Sequence, residues 1–178
     1  YFRIRYSGET RIAMDAPPEH EDTGPFIGIA QAFGVLGLNV PRILDTDLDR
    51  GFVLMSDLGT RLFLSELDAS NVERFYGDAM DALITLQSRG PGQYALPPYD
   101  RALLLREMEL FRHWYLQRHL GVTLSDPQRK VLDEAFALLA DSALEQPVVA
   151  VHRDYHSRNL MVTPTQNPGV LDFQDAVM

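Results

Sequence analysis

The 178-residue chain contains no cysteine. That excludes a disulfide framework, a thiolate zinc site and a cysteine nucleophile, and it fits a reducing compartment such as the cytoplasm. Lysine is almost as scarce: Lys130 is the only one. Lys and Arg together number 16 against 25 Asp and Glu, a formal charge of -9. Such a balance argues against nonspecific binding to nucleic acid or to an anionic membrane surface, both of which need a basic face. No apolar run approaches the roughly 20 residues that span a bilayer, and no signal-peptide core is visible. Internal repeats and low-complexity tracts are absent. What remains is ordinary globular usage, 46% hydrophobic and 23% charged, with enough chain to bury a core. The first residue is Tyr1 and the last four are Asp175-Ala176-Val177-Met178, within a segment that reads as ordered. The expectation is a fold truncated at both ends.

The first third reads as strands around one helix. Residues 1–6 alternate apolar or aromatic side chains with Arg, Ser7-Gly8-Glu9 is a turn signal, and residues 11–15 resume the extended pattern until Pro17 and Pro18 stop it. Asp22-Thr23-Gly24-Pro25 is a helix start. Phe26, Ile29, Ala30, Phe33 and Leu36 follow at steps of three and four, giving one apolar face, and Gly37 stands where a helix terminates. Further strands are expected at 42–45 and 52–56, joined by the Asp49-Arg50-Gly51 turn. Asp57-Leu58-Gly59 then breaks the pattern, and helices dominate. They are expected over 72–88, capped by Ser70 or Asn71; over 101–118, capped by Asp100; and from Pro127, preceded by Asp126, to about 144. Residues 90–98 form a Gly- and Pro-rich loop. Short β-pieces close the chain at 148–151, 160–162 and 169–171. The expectation is an α+β, two-lobed arrangement: a strand-rich lobe over 1–59, a connector near 56–60, and a helical lobe over 61–178. A crevice would form at the connector.

The chemistry lies in His152-Arg153-Asp154-Tyr155-His156-Ser157-Arg158-Asn159-Leu160 and in Leu171-Asp172-Phe173-Gln174. Apolar strands enter and leave this loop. Asp154 and Asn159 are five residues apart, and Asp172 lies thirteen further on. Phosphoryl transfer needs such a set: one carboxylate to face the attacking hydroxyl, and hard oxygen ligands to hold Mg²⁺ against nucleotide phosphates. Asp154 is the candidate base. Asn159 and Asp172 are the candidate metal ligands, suited to Mg²⁺ and poorly suited to zinc. A lone His-x-Asp loop is usually a turn or a cap; the joint occurrence of all four residues between apolar strands is much rarer.

These residues resemble the catalytic loop of protein kinases. With His156 after Asp154-Tyr155, and Asp172-Phe173-Gln174-Asp175-Ala176 at the end, the likeness is closer to the aminoglycoside phosphotransferase and choline kinase branch. Three segments carry it further: Met14-Asp15-Ala16-Pro17-Pro18-Glu19, Gly37-Leu38-Asn39-Val40-Pro41 and Gly51-Phe52-Val53-Leu54-Met55-Ser56-Asp57-Leu58-Gly59. They are similar to bacterial cell-wall-recycling kinases that phosphorylate the anomeric hydroxyl of N-acetylmuramate and N-acetylglucosamine. The resemblance implies a protein-kinase-like fold, ATP and Mg²⁺ as cofactors, a small amino sugar as acceptor, and a cytoplasmic enzyme. It implies that the backbone of Ser56 and Leu58 meets the adenine edge, with Met161 as the floor beneath the base. His152 would brace backbone.

Two departures from the family pattern stand out. Tyr1-Phe2-Arg3 reads as the strand just after the loop that covers ATP phosphates in this family, so that loop is expected to lie outside the given sequence. The strand lysine that pairs with those phosphates is also missing, its place taken by Asp15, or by Met14 in the adjacent register. Arg3 or Arg11 is the candidate substitute, and His156 and Arg158, flanking the base, are candidates for substrate or phosphate contact. Three readings follow: an amino-sugar kinase, an aminoglycoside or choline-type kinase, or a pseudokinase-like binding module.

Overall fold

The structure is a computed structural model that describes residues 1–92 and 94–178. Gln93, inside the expected Gly/Pro-rich loop, lies outside the described residues. The chain forms two compact units. The first comprises Tyr1–Leu96 and Val149–Val177, the second Pro97–Val148 with Met178.

In the first unit, β1 (Phe2–Tyr6), β2 (Glu9–Asp15), β3 (Ile43–Asp47) and β4 (Phe52–Ser56) make one antiparallel sheet in the order β1-β2-β4-β3. Ser7 and Gly8 both take left-handed backbone, φ 49° and 81°. This is the two-residue hairpin turn whose twist matches the flanking strands. Gly51 is obligatory: φ is +76°, and a Cβ there would lie 2.0 Å from the Ala16 carbonyl oxygen.

Helix α1 (Gly24–Val35) buries Phe26, Ile29, Ala30 and Phe33, the stripe read from the sequence. It ends in a pair of hydrogen bonds, Leu38 N–H to Phe33 O (3.1 Å) and Gly37 N–H to Gly34 O (3.0 Å), made possible by Gly37 at φ +92°. Arg89 adds a donor to the Leu36 carbonyl at 2.8 Å. A one-turn helix, α2 (Phe63–Glu66), and the long α3 (Val72–Arg89) follow. Phe63 is fully buried and stacks on Phe75 at 4.8 Å between centroids. The short antiparallel pair β5 (Leu160–Met161) and β6 (Gly169–Val170) completes the unit.

The second unit is helical: α4 (Arg101–Leu110), a π-helical continuation over Phe111–His119, and α5 (Asp126–Leu144). Phe111, Tyr115 and His119 stack in succession along the π-helical turns, at 5.4 and 5.7 Å.

Several local expectations are corrected. The helix read as continuous to residue 118 is α-helical only to Leu110. Helix α5 is capped by Ser125, whose N–H donates to Gln128 Oε1 at 2.9 Å; Asp126 is already helical. The Asn71 side chain does not cap α3, since Asn71 Oδ1 accepts instead from the Asp68 N–H at 3.0 Å. The expected strand at 148–151 reduces to one bridge, Val151 with Val177. Helix α2 had no sequence signal, being only four residues long. Among the described residues no helix is long and apolar enough to cross a membrane.

Candidate functional site

The loop that starts at His152 is pinned at both ends by backbone pairing. Val151 and Val177 exchange N–H···O bonds of 2.8 and 2.9 Å, and Leu171 N–H donates to Asn159 O at 2.9 Å. Between these pins sits His152, 1% exposed. The Asp154 N–H donates to its Nδ1 at 3.3 Å, so the proton is on Nε2, which faces the Leu171 carbonyl at 3.0 Å. One imidazole therefore ties the backbone of Asp154 to the residue before Asp172. Burial pushes its pKa below the usual imidazole range, which keeps the ring neutral. Tyr155 anchors the loop from below, donating its hydroxyl to Ala79 O of α3 at 2.7 Å, and burial pushes that phenol up to about 12.

Three side chains converge. Asn159 Nδ2 donates to Asp154 Oδ2 at 3.0 Å, to the Asp154 carbonyl at 3.0 Å, and to Asp172 Oδ2 at 2.9 Å. A single carboxamide thus bridges two carboxylates from different chain segments. Asp172 has left-handed backbone, φ +62°, unusual for a residue other than glycine. It is held there by the His152 bond before it and by Phe173 after it. Phe173 is fully buried, 5.2 Å from the Phe26 ring and 5.8 Å from Phe33. Gln174 donates to Asp172 Oδ1 at 2.8 Å and, as the main cause, holds that carboxyl below the usual carboxylate range; burial opposes this. Asp172 is accordingly an anion at neutral pH.

Of these groups, Asn159, Asp172, Phe26 and Gln174 line a cavity of about 450 Å³, and Asp154 lies outside its lining. Ile12, Met55, Leu58, Met161 and Leu171 give it apolar wall, while Asn159, Asp172, Gln174, Arg3 and Asp57 give it polar groups. Ser56 also lines it. The Ser56 N–H is taken by Arg42 O at 2.9 Å.

The structure separates the remaining candidates. Arg3 lines the cavity, but its guanidinium grips Asp57 through Nε (2.6 Å) and Nη2 (3.0 Å) and reaches the Gly59 carbonyl at 2.6 Å. The Asp57 side chain is only 5% exposed and also accepts from Gly59 N–H at 2.9 Å. Arg3 holds its carboxyl below the usual range. Arg11 does not join the cavity; it pairs with Glu9 and with Thr10 O. His156 Nε2 lies 3.0 Å from Asp154 Oδ1, and the Arg158 N–H donates to His156 Nδ1 at 3.2 Å. The Arg158 side chain is exposed to solvent. Sequence reasoning missed the Arg3–Asp57 clasp and the part played by Gln174. The Asp57-Leu58-Gly59 turn signal was legible, but its partner 54 residues earlier was not.

Among the described residues, no group of three or more acidic or histidine side chains could hold a metal ion unaided. Asp172 is an assured anion, and Asn159, which here presents Nδ2 to it, would offer Oδ1 once its carboxamide turns over; that carboxylate and carboxamide pair fits Mg²⁺, which keeps waters and phosphate oxygens as its other ligands.

The sequence model described as the phosphotransferase enzyme family matches residues 1–178. The chain is 49% identical over 177 residues to an N-acetylmuramate/N-acetylglucosamine kinase of Pseudomonas putida, and 48% identical to the one of Pseudomonas aeruginosa. Each match covers 99% of this chain and 52% of the relative, so the chain spans about half the length of these curated relatives. Similar solved structures include an aminoglycoside phosphotransferase, APH(4)-Ia, with TM-score 0.64 and 14% identity, covering 98% of this chain and 62% of that one. Choline kinase LicA from Streptococcus pneumoniae gives TM-score 0.63 and 13% identity, covering 99% and 59%. These likenesses bear out the α+β, protein-kinase-like fold expected from the sequence.

Proposed function

This chain belongs to the phosphotransferase enzyme family, and from that premise we propose that the full-length protein is an ATP- and Mg²⁺-dependent kinase. Its acceptor is the anomeric hydroxyl of N-acetylmuramate or N-acetylglucosamine, and its role is cell-wall recycling in the cytoplasm. The observation that carries the reading is the Asn159 carboxamide bridging Asp154 and Asp172, with Asn159 and Asp172 lining the cavity.

In this reading residues 1–59 act as the nucleotide-covering lobe and residues 61–178 as the lobe that carries the catalytic loop. The adenine edge meets the backbone of Ser56 and Leu58, and Met161 lies beneath the base. Asn159 and Asp172 would hold the ion, which would supply charge neutralisation at the phosphates. Asp154 orients the acceptor hydroxyl and takes its proton as the new O–P bond forms and the bond between the γ-phosphorus and the β–γ bridging oxygen breaks. Positioning and electrostatics supply most of the rate, because the transferring group develops little covalent character. His156 steadies Asp154 through Oδ1, leaving Asn159 to define the other oxygen. The phosphate contact expected of Arg3 gives way to a role in holding the 57–59 turn, and Arg11 has no place in the reaction.

Identity of 48–49% to kinases of that name favours the amino-sugar acceptor over an aminoglycoside or choline. A pseudokinase-like module is disfavoured because both candidate metal ligands are present and converge. The test is ADP release by the full-length protein with ATP, Mg²⁺ and, separately, N-acetylmuramate, N-acetylglucosamine, kanamycin and choline. Turnover is expected with the first two. Turnover confined to kanamycin or choline would overturn the acceptor, and none with any of the four would favour the binding module.

A further inference from the structure

The segment Gly37-Leu38-Asn39-Val40-Pro41 has no task in the reaction described above, yet it reaches the catalytic hairpin by both backbone and side chain. The Val170 N–H donates to Asn39 O at 2.7 Å, so Asn39 lies as a parallel bridge against Gly169. Its side-chain Nδ2 donates to the Gln166 carbonyl at 3.1 Å and to Thr163 Oγ1 at 3.2 Å. The Thr163 N–H in turn donates to Asn167 Oδ1 at 3.1 Å, and Asn167 Nδ2 donates to Asp78 Oδ2 of α3 at 2.7 Å. The turn between β5 and β6 is therefore gripped from two sides, by the segment after α1 and by α3.

That turn is the closed end of the hairpin whose open end carries Asn159 and Asp172. Strands of two residues have little stiffness of their own. The hairpin is also pressed against the cavity. A Cβ on Gly169 would lie 3.0 Å from Leu58 Cδ1 and 3.2 Å from Met161 Cβ, so there is no slack on that side. With a rise of about 3.3 Å per residue, the gripped turn lies roughly 10 Å or more from the Asn159 and Asp172 side chains. Its residues are too far away to touch an ion or a phosphate.

We infer that Asn39, with Asn167 and Asp78, is a positioning clasp that fixes the spacing of the Asn159 and Asp172 side chains. The inference rests on the kinase reading and adds residues to it. The clasp acts by holding the hairpin turn, and the metal pair at the other end takes its geometry from that hold. Outer residues that orient ligands in this way commonly change metal affinity by about 10–100-fold; acting through a hairpin, the clasp is expected to change it by about 3–30-fold.

The test is calorimetric and needs no turnover. In the full-length protein, Asn39→Ala and Asp78→Ala are compared with wild type for Mg²⁺ binding in saturating ADP, and for adenosine binding without metal. Both variants are expected to weaken the apparent Mg²⁺ affinity by about 3–30-fold while adenosine affinity changes less than about twofold. Asp78→Asn, which keeps an oxygen for Asn167, is expected to behave as wild type. If Asn39→Ala does not fold, Thr163→Val removes only Oγ1, which accepts from Asn39 and donates to the Gln166 carbonyl at 3.4 Å, and a shift in Mg²⁺ affinity is still expected. Folded variants with wild-type Mg²⁺ affinity would overturn the inference. Equal losses for adenosine and Mg²⁺ would overturn it too, by showing general loosening. A wild-type protein that binds neither adenosine nor Mg·ADP would bring down the kinase reading itself, and the clasp with it.

Discussion

Replacing His152 by Leu keeps much of the ring's bulk and removes both of its polar contacts. The Asp154 N–H and the Leu171 carbonyl are then left without partners, where the structure gives them bonds of 3.3 and 3.0 Å. A buried group stranded in this way costs about 1–3 kcal/mol. Both groups are only part-buried, so the combined loss is about 2–4 kcal/mol, or roughly 4–16 °C in Tm for a chain of this size. The pH dependence is the sharper assay. Burial holds the folded imidazole's pKa below that of the unfolded chain, which is about 6.5. Between the two values the unfolded state binds a proton that the folded state does not. The contribution to stability is therefore complete above about pH 6.5 and falls as pH drops below it, by at most about 1.4 kcal/mol per pH unit. Urea unfolding at pH 5.5, 6.5 and 7.5 reads this directly, and the wild-type-minus-variant difference should shrink at pH 5.5. A His152→Leu protein as stable as wild type, or one with the same slope below pH 6.5, would refute the account of this residue as a neutral brace between the segments that carry Asp154 and Asp172.

Asp154→Asn should lower turnover by about 10²–10⁴-fold with ADP affinity nearly unchanged in calorimetry; near-normal turnover would remove Asp154 from the base role. Arg3→Ala frees the 57–59 turn, so the KM for ATP should rise while the KM for the sugar holds. The same variant tests a pH effect. The lowered Asp57 pKa adds stability that is full above the unfolded carboxyl's pKa, about 3.9, and is lost as pH falls through the lower folded value, so acid unfolding of Arg3→Ala should begin at higher pH. Gly51→Ala places a Cβ 2.0 Å from the Ala16 oxygen on left-handed backbone. It should cost more than the about 1–2 kcal/mol of the conformation alone, read by denaturant midpoint.

The parts of this protein legible from sequence are those encoded within a few residues. The α1 stripe of Phe26, Ile29 and Phe33, the Gly37 terminator and the Asp100 cap, whose carboxylate accepts from the Leu103 N–H at 2.8 Å, are local signals and appear as read. Asp154, Asn159 and Asp172 were legible for a different reason: the chemistry demands those side-chain types, and apolar strands mark the loop between them. Pairings across long stretches of chain were not legible. Nothing near Arg3 marks Asp57 as its partner, and nothing near Asn39 points to Gln166, 127 residues on. The absence of a strand lysine drew attention to Arg3 and Arg11 as replacements. That reasoning counted charges without knowing which carboxylates would stand beside them.

The Arg3–Asp57 pairing bears on how the site handles phosphate charge. Arg3 is the only Lys or Arg side chain among the described residues lining the cavity, and two of its nitrogens are engaged by Asp57 and Gly59. On β2, Met14 is buried and the neighbouring Asp15 carries the wrong sign for a phosphate. A guanidinium already sharing its charge with a carboxylate neutralises little else, since the pair is close to a dipole at the distance of a bound phosphate. In the proposed reading the burden falls on an ion that Asn159 and Asp172 would hold, and the surroundings of Asp172 agree with it. Gln174 and Asn159 both donate to its oxygens and keep it ionised, and its left-handed backbone is fixed from both sides by His152 and by the buried Phe173. Converting Asp15 to Lys should therefore improve ADP binding most when metal is removed and least at saturating Mg²⁺. An equal gain under both conditions would mean that the two cations do not share the task.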